Sequence, residues 1–186
     1  MVAAAERPLA TTFEAAARLD ADLHPGEIDE GSWVPMTKST WRHGRIALNV
    51  GVVLRAYARA QGGWSVSVGD PGTKLQRSPD VLRGPDVGIV RAEREPTGRG
   101  ADGWLEGAPD VAVEVVGDGQ SVSELSKKAL EYLAAGGRMV WVLDPDPQRV
   151  VLYTPPNAVR VLGVDDELDG GDVLPGFRCR VSELFE

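Results

Sequence analysis

Glu114 is the first residue whose chemistry demands an explanation. It interrupts Val111-Ala-Val-Glu-Val-Val116, a run that otherwise reads as a buried strand. Side chains alternate along a strand, so Asp110, Ala112 and Glu114 share one face and Val111, Val113 and Val115 the other. An ionised carboxylate there is costly unless it is paired or holds a metal. The following segment, Ser121 to Ala135, offers a cation. Ser121-Val-Ser-Glu124 has the spacing of a capping box, and Val122, Leu125, Ala129, Tyr132 and Leu133 form one apolar stripe. At about 100° per residue, Lys128 falls at the edge of that stripe and Lys127 nearly opposite. Lys128 is therefore the lysine expected to reach back toward Glu114. A structural Glu–Lys pair and a metal site would draw on the same two residues, and the sequence does not separate them.

Other candidates are weaker in isolation. Asp86 stands at the head of a short apolar strand, Val87 to Val90, on the face of Gly88 and Val90. Pro-Asp is also a common turn signal, and this chain has it three times, at Asp80, Asp86 and Asp110. Asp110 is expected at its strand's edge, in solvent. Arg42, Arg45, Arg55 and Arg59 cluster in one segment, as a local basic strip or as the solvated face of a helix. Two histidines and one cysteine, scattered, give no zinc spacing. Trp141 and Tyr132 are expected in the core, and Cys179 as a small buried hydrophobe.

These residues need a scaffold. The 186-residue length suits one domain, residues 27–186, behind an N-terminal arm, residues 1–26, with a short helix at Thr12 to Leu19. A hairpin or short strand is expected over Glu27 to Met36. A long helix over Trp41 to Ala60 follows, with Ile46, Val50, Val53, Leu54 and Tyr57 as its apolar stripe and His43 on the same side. Trp64 to Val68 alternates as a half-buried strand. Arg91 to Gly107 reads as a long exposed loop. After the strand Val140 to Asp144, the segments Val150 to Tyr153 and Val159 to Leu162 form a hairpin. The sum is an α+β (α/β-like) arrangement: a mixed sheet flanked by helices. Net charge is −8 with pI near 4.9, which argues against a broad nucleic-acid surface. No run is long enough to span a membrane. A cytoplasmic protein is the expectation, and an apolar Val159–Phe185 tail points to a homodimer.

In order and spacing, seven phrases resemble the PD-(D/E)XK nuclease core, and within it the Uma-type family named "putative restriction endonuclease". They are Trp33-Val-Pro-Met, Arg42-His-Gly-Arg-Ile-Ala, Arg83-Gly-Pro-Asp-Val, Ala108-Pro-Asp-Val-Ala-Val-Glu-Val, Glu131-Tyr-Leu-Ala-Ala-Gly, Val140-Trp-Val-Leu-Asp-Pro and Leu174-Pro-Gly-Phe. The resemblance implies a restriction-endonuclease-like core with extra N- and C-terminal strands. It implies a metal-dependent phosphodiester hydrolase acting on nucleic acid, DNA first. By position Asp86 matches the Pro-Asp aspartate, Glu114 the acid of the next strand and Lys128 the lysine. Asp86, Glu114 and the Val115 carbonyl would hold Mg²⁺ or Mn²⁺. Glu27 matches an N-terminal glutamate, an extra ligand or a base. His43 either positions the phosphate or is a satisfied core histidine. The chain departs from the pattern twice. The place two residues after Glu114, where the superfamily usually has its lysine, is Val116. The next loop reads Gly117-Asp118-Gly119 where the family usually has Ser-Pro-Ser. Those departures and the acidic charge favour the alternative, a non-cleaving binding or assembly module.

Overall fold

The computed structural model describes residues 11–19, 25–156 and 158–186. In chain order the elements are α1 (Phe13–Ala16), β1 (Gly26–Asp29), β2 (Ser32–Pro35), α2 (Trp41–Gln61), β3 (Trp64–Val68), β4 (Thr73–Gln76), β5 (Val81–Arg83) and β6 (Val87–Arg91). They continue with β7 (Leu105–Glu106), β8 (Val111–Val115), α3 (Val122–Ala134), β9 (Met139–Asp144), β10 (Arg149–Thr154), β11 (Ala158–Leu162), β12 (Glu167–Asp169), β13 (Arg178–Arg180) and α4 (Val181–Phe185).

Six strands form the main sheet in the order β11-β10-β9-β8-β6-β3. It is mixed: β8 runs parallel to β9 and antiparallel to β6. The two faces of β8 go where alternation sends them. Val111, Val113 and Val115 join Ile46, Val50 and Leu54 of α2 in one buried cluster. Ala112 joins Leu125, Ala129 and Tyr132 of α3 in another. The sheet is thus clamped between α2 and α3, an α+β fold with a mixed sheet flanked by helices.

Both helices begin on side-chain caps, the one at Ser121 as its spacing predicts. The Thr40 hydroxyl accepts the His43 N–H at 3.3 Å, fixing the first turn of α2, and Gly62 (φ 69°) ends that helix. Ser121 and Glu124 close the reciprocal capping box of α3. These two starts matter because both face the site.

Several expectations are corrected. The Thr12–Leu19 helix is shorter, Phe13–Ala16, and the expected arm boundary falls inside β1. A second sheet, β2-β1-β5-β4-β7, was not foreseen. Its strands β4 and β5 are three or four residues long among turns, too short to show a period, and hold together by cross-strand pairing. The Arg91–Gly107 stretch carries two 3₁₀ turns and β7.

Asp110 is not in solvent. It is buried and accepts the Arg91 N–H at 3.2 Å and the Arg94 guanidinium at 3.1 Å. Its carboxylate ties the end of β6 to the start of β8, a role that strand alternation cannot reveal. The apolar tail folds back on its own chain: Leu168, Leu174, Phe177, Leu184 and Phe185 are buried in the α2-side core. Only Val159 and Val161, on edge strand β11, keep large apolar side chains exposed in that tail.

Candidate active site

At the end of β8, four carboxylates from separate parts of the chain converge on one cleft of about 420 Å³. Glu27 comes from β1, Asp70 from the turn after β3, Asp86 from just before β6 and Glu114 from β8. His43 of α2 and Lys128 of α3 line it too, and a fifth carboxylate, Asp118, and Lys38, both exposed, stand at its edge.

Glu27 is fixed first. Its Oε1 accepts the Gly84 N–H at 3.1 Å and the Lys128 ammonium at 3.0 Å. Gly84 must be glycine for this: a Cβ there would stand 2.9 Å from Asp70 Cβ and 3.0 Å from the Asp70 carbonyl. Behind Glu27 lies Arg83, only 4% exposed, bonded to Asp29 at 2.6 Å and Glu131 at 2.7 Å. Burial works against the Arg83 charge, but Glu27 and Glu131 outweigh it and hold its pKa above the usual value. Lys127 stays outside, on Asp29 at 3.2 Å. The cations Arg83, Lys127 and Lys128 thus offset Glu27, Asp29 and Glu131.

Asp70, Asp86 and Glu114 make no direct ion pair with those three cations, and the ring nitrogen nearest to them is that of His43, on Asp86. Asp86 Oδ2 accepts the Val115 N–H at 2.7 Å and lies 3.3 Å from His43 Nε2. The same Nε2 is 3.1 Å from the Val115 carbonyl, which can only accept, so Nε2 carries a proton. The Asp86 bond raises the His43 pKa, burial opposes it, and the Asp86 charge and the Val115 carbonyl add to the rise.

Glu114 is not paired directly with Lys128, as the helix periodicity suggested. Glu27 holds that ammonium, with its Oε2 2.9 Å away, and the hydrogen-bond partner of Glu114 is Tyr132, whose hydroxyl donates to Oε1 at 2.7 Å. Burial pushes the Glu114 carboxyl up to about 8; Lys128 pulls it down, while Asp86 and Glu27 add to the rise. Lys128 stays an ammonium: burial works against its charge, and the carboxylates of Glu114 and Glu27 outweigh that. Asp70, at the rim, is pushed up to about 6, by crowding on its inner side and then by Asp86. Its side chain keeps contact with solvent.

Among the described residues, no three His, Cys, Asp or Glu side chains stand in a ready-made ligating arrangement. The donor chemistry nevertheless suits a hard divalent cation: carboxylate oxygens and a backbone carbonyl, with negative charge in excess of local cations. Two carboxyls driven upward partly by a neighbouring carboxylate are what an added positive charge would relieve.

The cleft contains all the residues singled out from sequence: Glu27, His43, Asp86, Glu114, Val115 and Lys128. Sequence reasoning missed three others. Tyr132 follows Lys128 by four residues on the same helix, a signal that could have placed it over Glu114. Arg83 opens the Arg-Gly-Pro-Asp phrase. Asp70 sits in a turn at φ 56° and carries no periodic signal at all.

Comparison with known proteins adds a family and a fold. A family model described as "Uma2: Putative restriction endonuclease" matches residues 12–182. No curated protein matches the sequence. The crystal structure of a protein from Anabaena variabilis, described as a putative nuclease belonging to DUF820, superposes with a TM-score of 0.80 at 22% identity, covering 94% of this chain and 97% of that one. At that identity the likeness concerns the fold.

Proposed function

This chain belongs to the Uma2 family of putative restriction endonucleases, and from that premise we propose that it hydrolyses phosphodiester bonds in nucleic acid, DNA in the first place, with a divalent metal. One observation carries the reading: Glu27, Asp70, Asp86 and Glu114, from four separate segments, meet Lys128 at one cleft, where neighbouring carboxylates help to raise the pKa of Asp70 and Glu114. A structural ion pair alone would not gather so many acids.

Asp86, Glu114 and the Val115 carbonyl would hold Mg²⁺ or Mn²⁺. When bound, the ion supplies neutralisation of phosphate charge and an acidified water. The rest falls to the chain's own residues. Glu27, anchored by the Gly84 N–H, positions Lys128. The Lys128 ammonium, aimed into the cleft, offsets charge that builds on the phosphoryl oxygens in the transition state. Tyr132 orients Glu114 through its hydroxyl. His43, steadied by Asp86 and the Val115 carbonyl, presents an N–H and partial positive charge beside the scissile position.

The test is cleavage of supercoiled plasmid and of single-stranded DNA with Mg²⁺ or Mn²⁺. Relative to wild type, Glu114→Gln and Lys128→Ala should each lose activity by about 10²- to 10³-fold. Full activity in folded Glu114→Gln would overturn the assignment. A second reading, a nuclease-fold module that binds without cleaving, is favoured by His43 Nε2 lying on both Asp86 and the Val115 carbonyl, two of the three assigned ligands. A folded wild type that binds DNA and metal but never cuts would select it.

A further inference from the structure

We infer that Trp41, flanked by Lys38 and Arg45, is a stacking platform for an unpaired nucleobase at the mouth of the cleft, so that the nucleic acid entering the site is single-stranded there. The inference rests on the nucleic-acid reading above and makes it specific.

Three observations carry it. The first is exposure. Trp41 is 91% exposed, whereas Trp64 and Trp141 are buried. None of the aromatic pairs or cation–π contacts among the described residues involves it. A tryptophan in water contributes nothing to the core and leaves its π-face open to a ligand.

The second is position. Trp41 opens α2, one residue after Thr40 and two before His43, and both of those line the carboxylate cleft. The same two residues also line a neighbouring polar cleft floored by Gly117, Gln120 and Ser121. Trp41 itself lines neither groove, but the residues on either side of it, Thr40 and His43, line both, and it lies within one helical turn of His43.

The third is charge. The chain carries a net −8, yet α2 holds four arginines and neither Asp nor Glu. Arg42 is taken by Asp146 at 2.8 Å. Arg45 lies one turn from Trp41 on the same outward face, exposed, lending one N–H to the Phe185 carbonyl at 3.3 Å. Lys38, also exposed, lines the cleft and has no ion-pair partner among the described residues. An aromatic face between two cations, in a molecule that otherwise repels polyanions, complements a base with a phosphate on either side. Stacking needs an open π-face, which a base inside a duplex does not offer.

The experiment measures binding of a fluorescently labelled oligothymidylate and of a blunt duplex of equal length, at low salt with EDTA so that nothing is cut. Wild type, Trp41→Ala and Trp41→Phe are compared, with thermal unfolding as the check on folding. We expect Trp41→Ala to weaken oligothymidylate binding by about 5- to 150-fold, Trp41→Phe to keep most of it, and duplex binding to stay within about twofold of wild type. Equal loss on both substrates, or no loss on either, would overturn the platform. So would association of wild type, but not Trp41→Ala, with anionic phospholipid vesicles in place of the oligonucleotide. A wild type that cleaves DNA while Trp41→Ala binds single strands unchanged would remove the platform and leave the hydrolase. A wild type that binds neither nucleic acid would remove both.

Discussion

Replacing Glu114 with glutamine should make this protein more stable, by an amount that grows with pH. Glu114 is 4% exposed, and burial pushes its carboxyl from 4.5 to about 8, against the pull of Lys128 and with help from Asp86 and Glu27. In the unfolded chain the same group titrates near its ordinary value. Between those two values the folded state holds a proton that the unfolded state has lost, so stability falls as pH rises. At about 1.36 kcal/mol per unit, the cost reaches on the order of 5 kcal/mol above pH 8. That figure is an upper bound, because Lys128 and neighbouring groups rearrange once the charge appears. Glutamine has no such titration, and its carbonyl oxygen can still accept the Tyr132 hydroxyl. Urea unfolding at pH 5, 7 and 9 without divalent cations measures the difference. Variant and wild type should agree within about 1 kcal/mol at pH 5, and the gap should widen by about 1.4 kcal/mol per unit up to pH 8 and then level off. Added Mg²⁺ should narrow it by stabilising wild type alone. A pH-independent gap, or a wild type that is the more stable at pH 9, would refute the reasoning.

Two further outcomes follow from the same geometry. His43 should titrate above 6.5, because Asp86 favours its charged form; the stability it lends is present below 6.5 and lost as pH rises through its folded pKa. Asp86→Asn should lower that midpoint, read from the imidazole proton shifts, and an unmoved midpoint would count against the contact. Asp110→Ala should cost about 2 kcal/mol, since it strands the Arg91 N–H and removes the carboxylate partner of Arg94. Cleavage per folded molecule should not change, and its loss would mean that Asp110 belongs to the site.

The alternation Val111 to Val115 and the capping box at Ser121 placed β8 and α3 correctly because both are local rules, satisfied by residues at most four apart. Thr40 and Gly62 bounded α2 in the same way. The phrases around Arg83, Ala108 and Val140 carried the family. What failed were two inferences about which charged group a side chain would meet. Periodicity aimed Lys128 at Glu114, but β1 inserts Glu27 from 101 residues away and takes the ammonium. Asp110 read as solvent-exposed, since nothing within β8 announces that Arg94 will fold over it.

The sequence by itself determined the helices flanking the main sheet, the faces of its strands and the type of residue present at each position. Tertiary structure alone decided which charges meet. Asp70 and Arg83 have no local feature that ties them to the site, and only the closure of two sheets and two helices around one cleft brings them there. The reason is range. Caps and alternation act over one turn or one strand, whereas the perturbation of a buried carboxyl is set by desolvation and by charges from segments far apart in the chain.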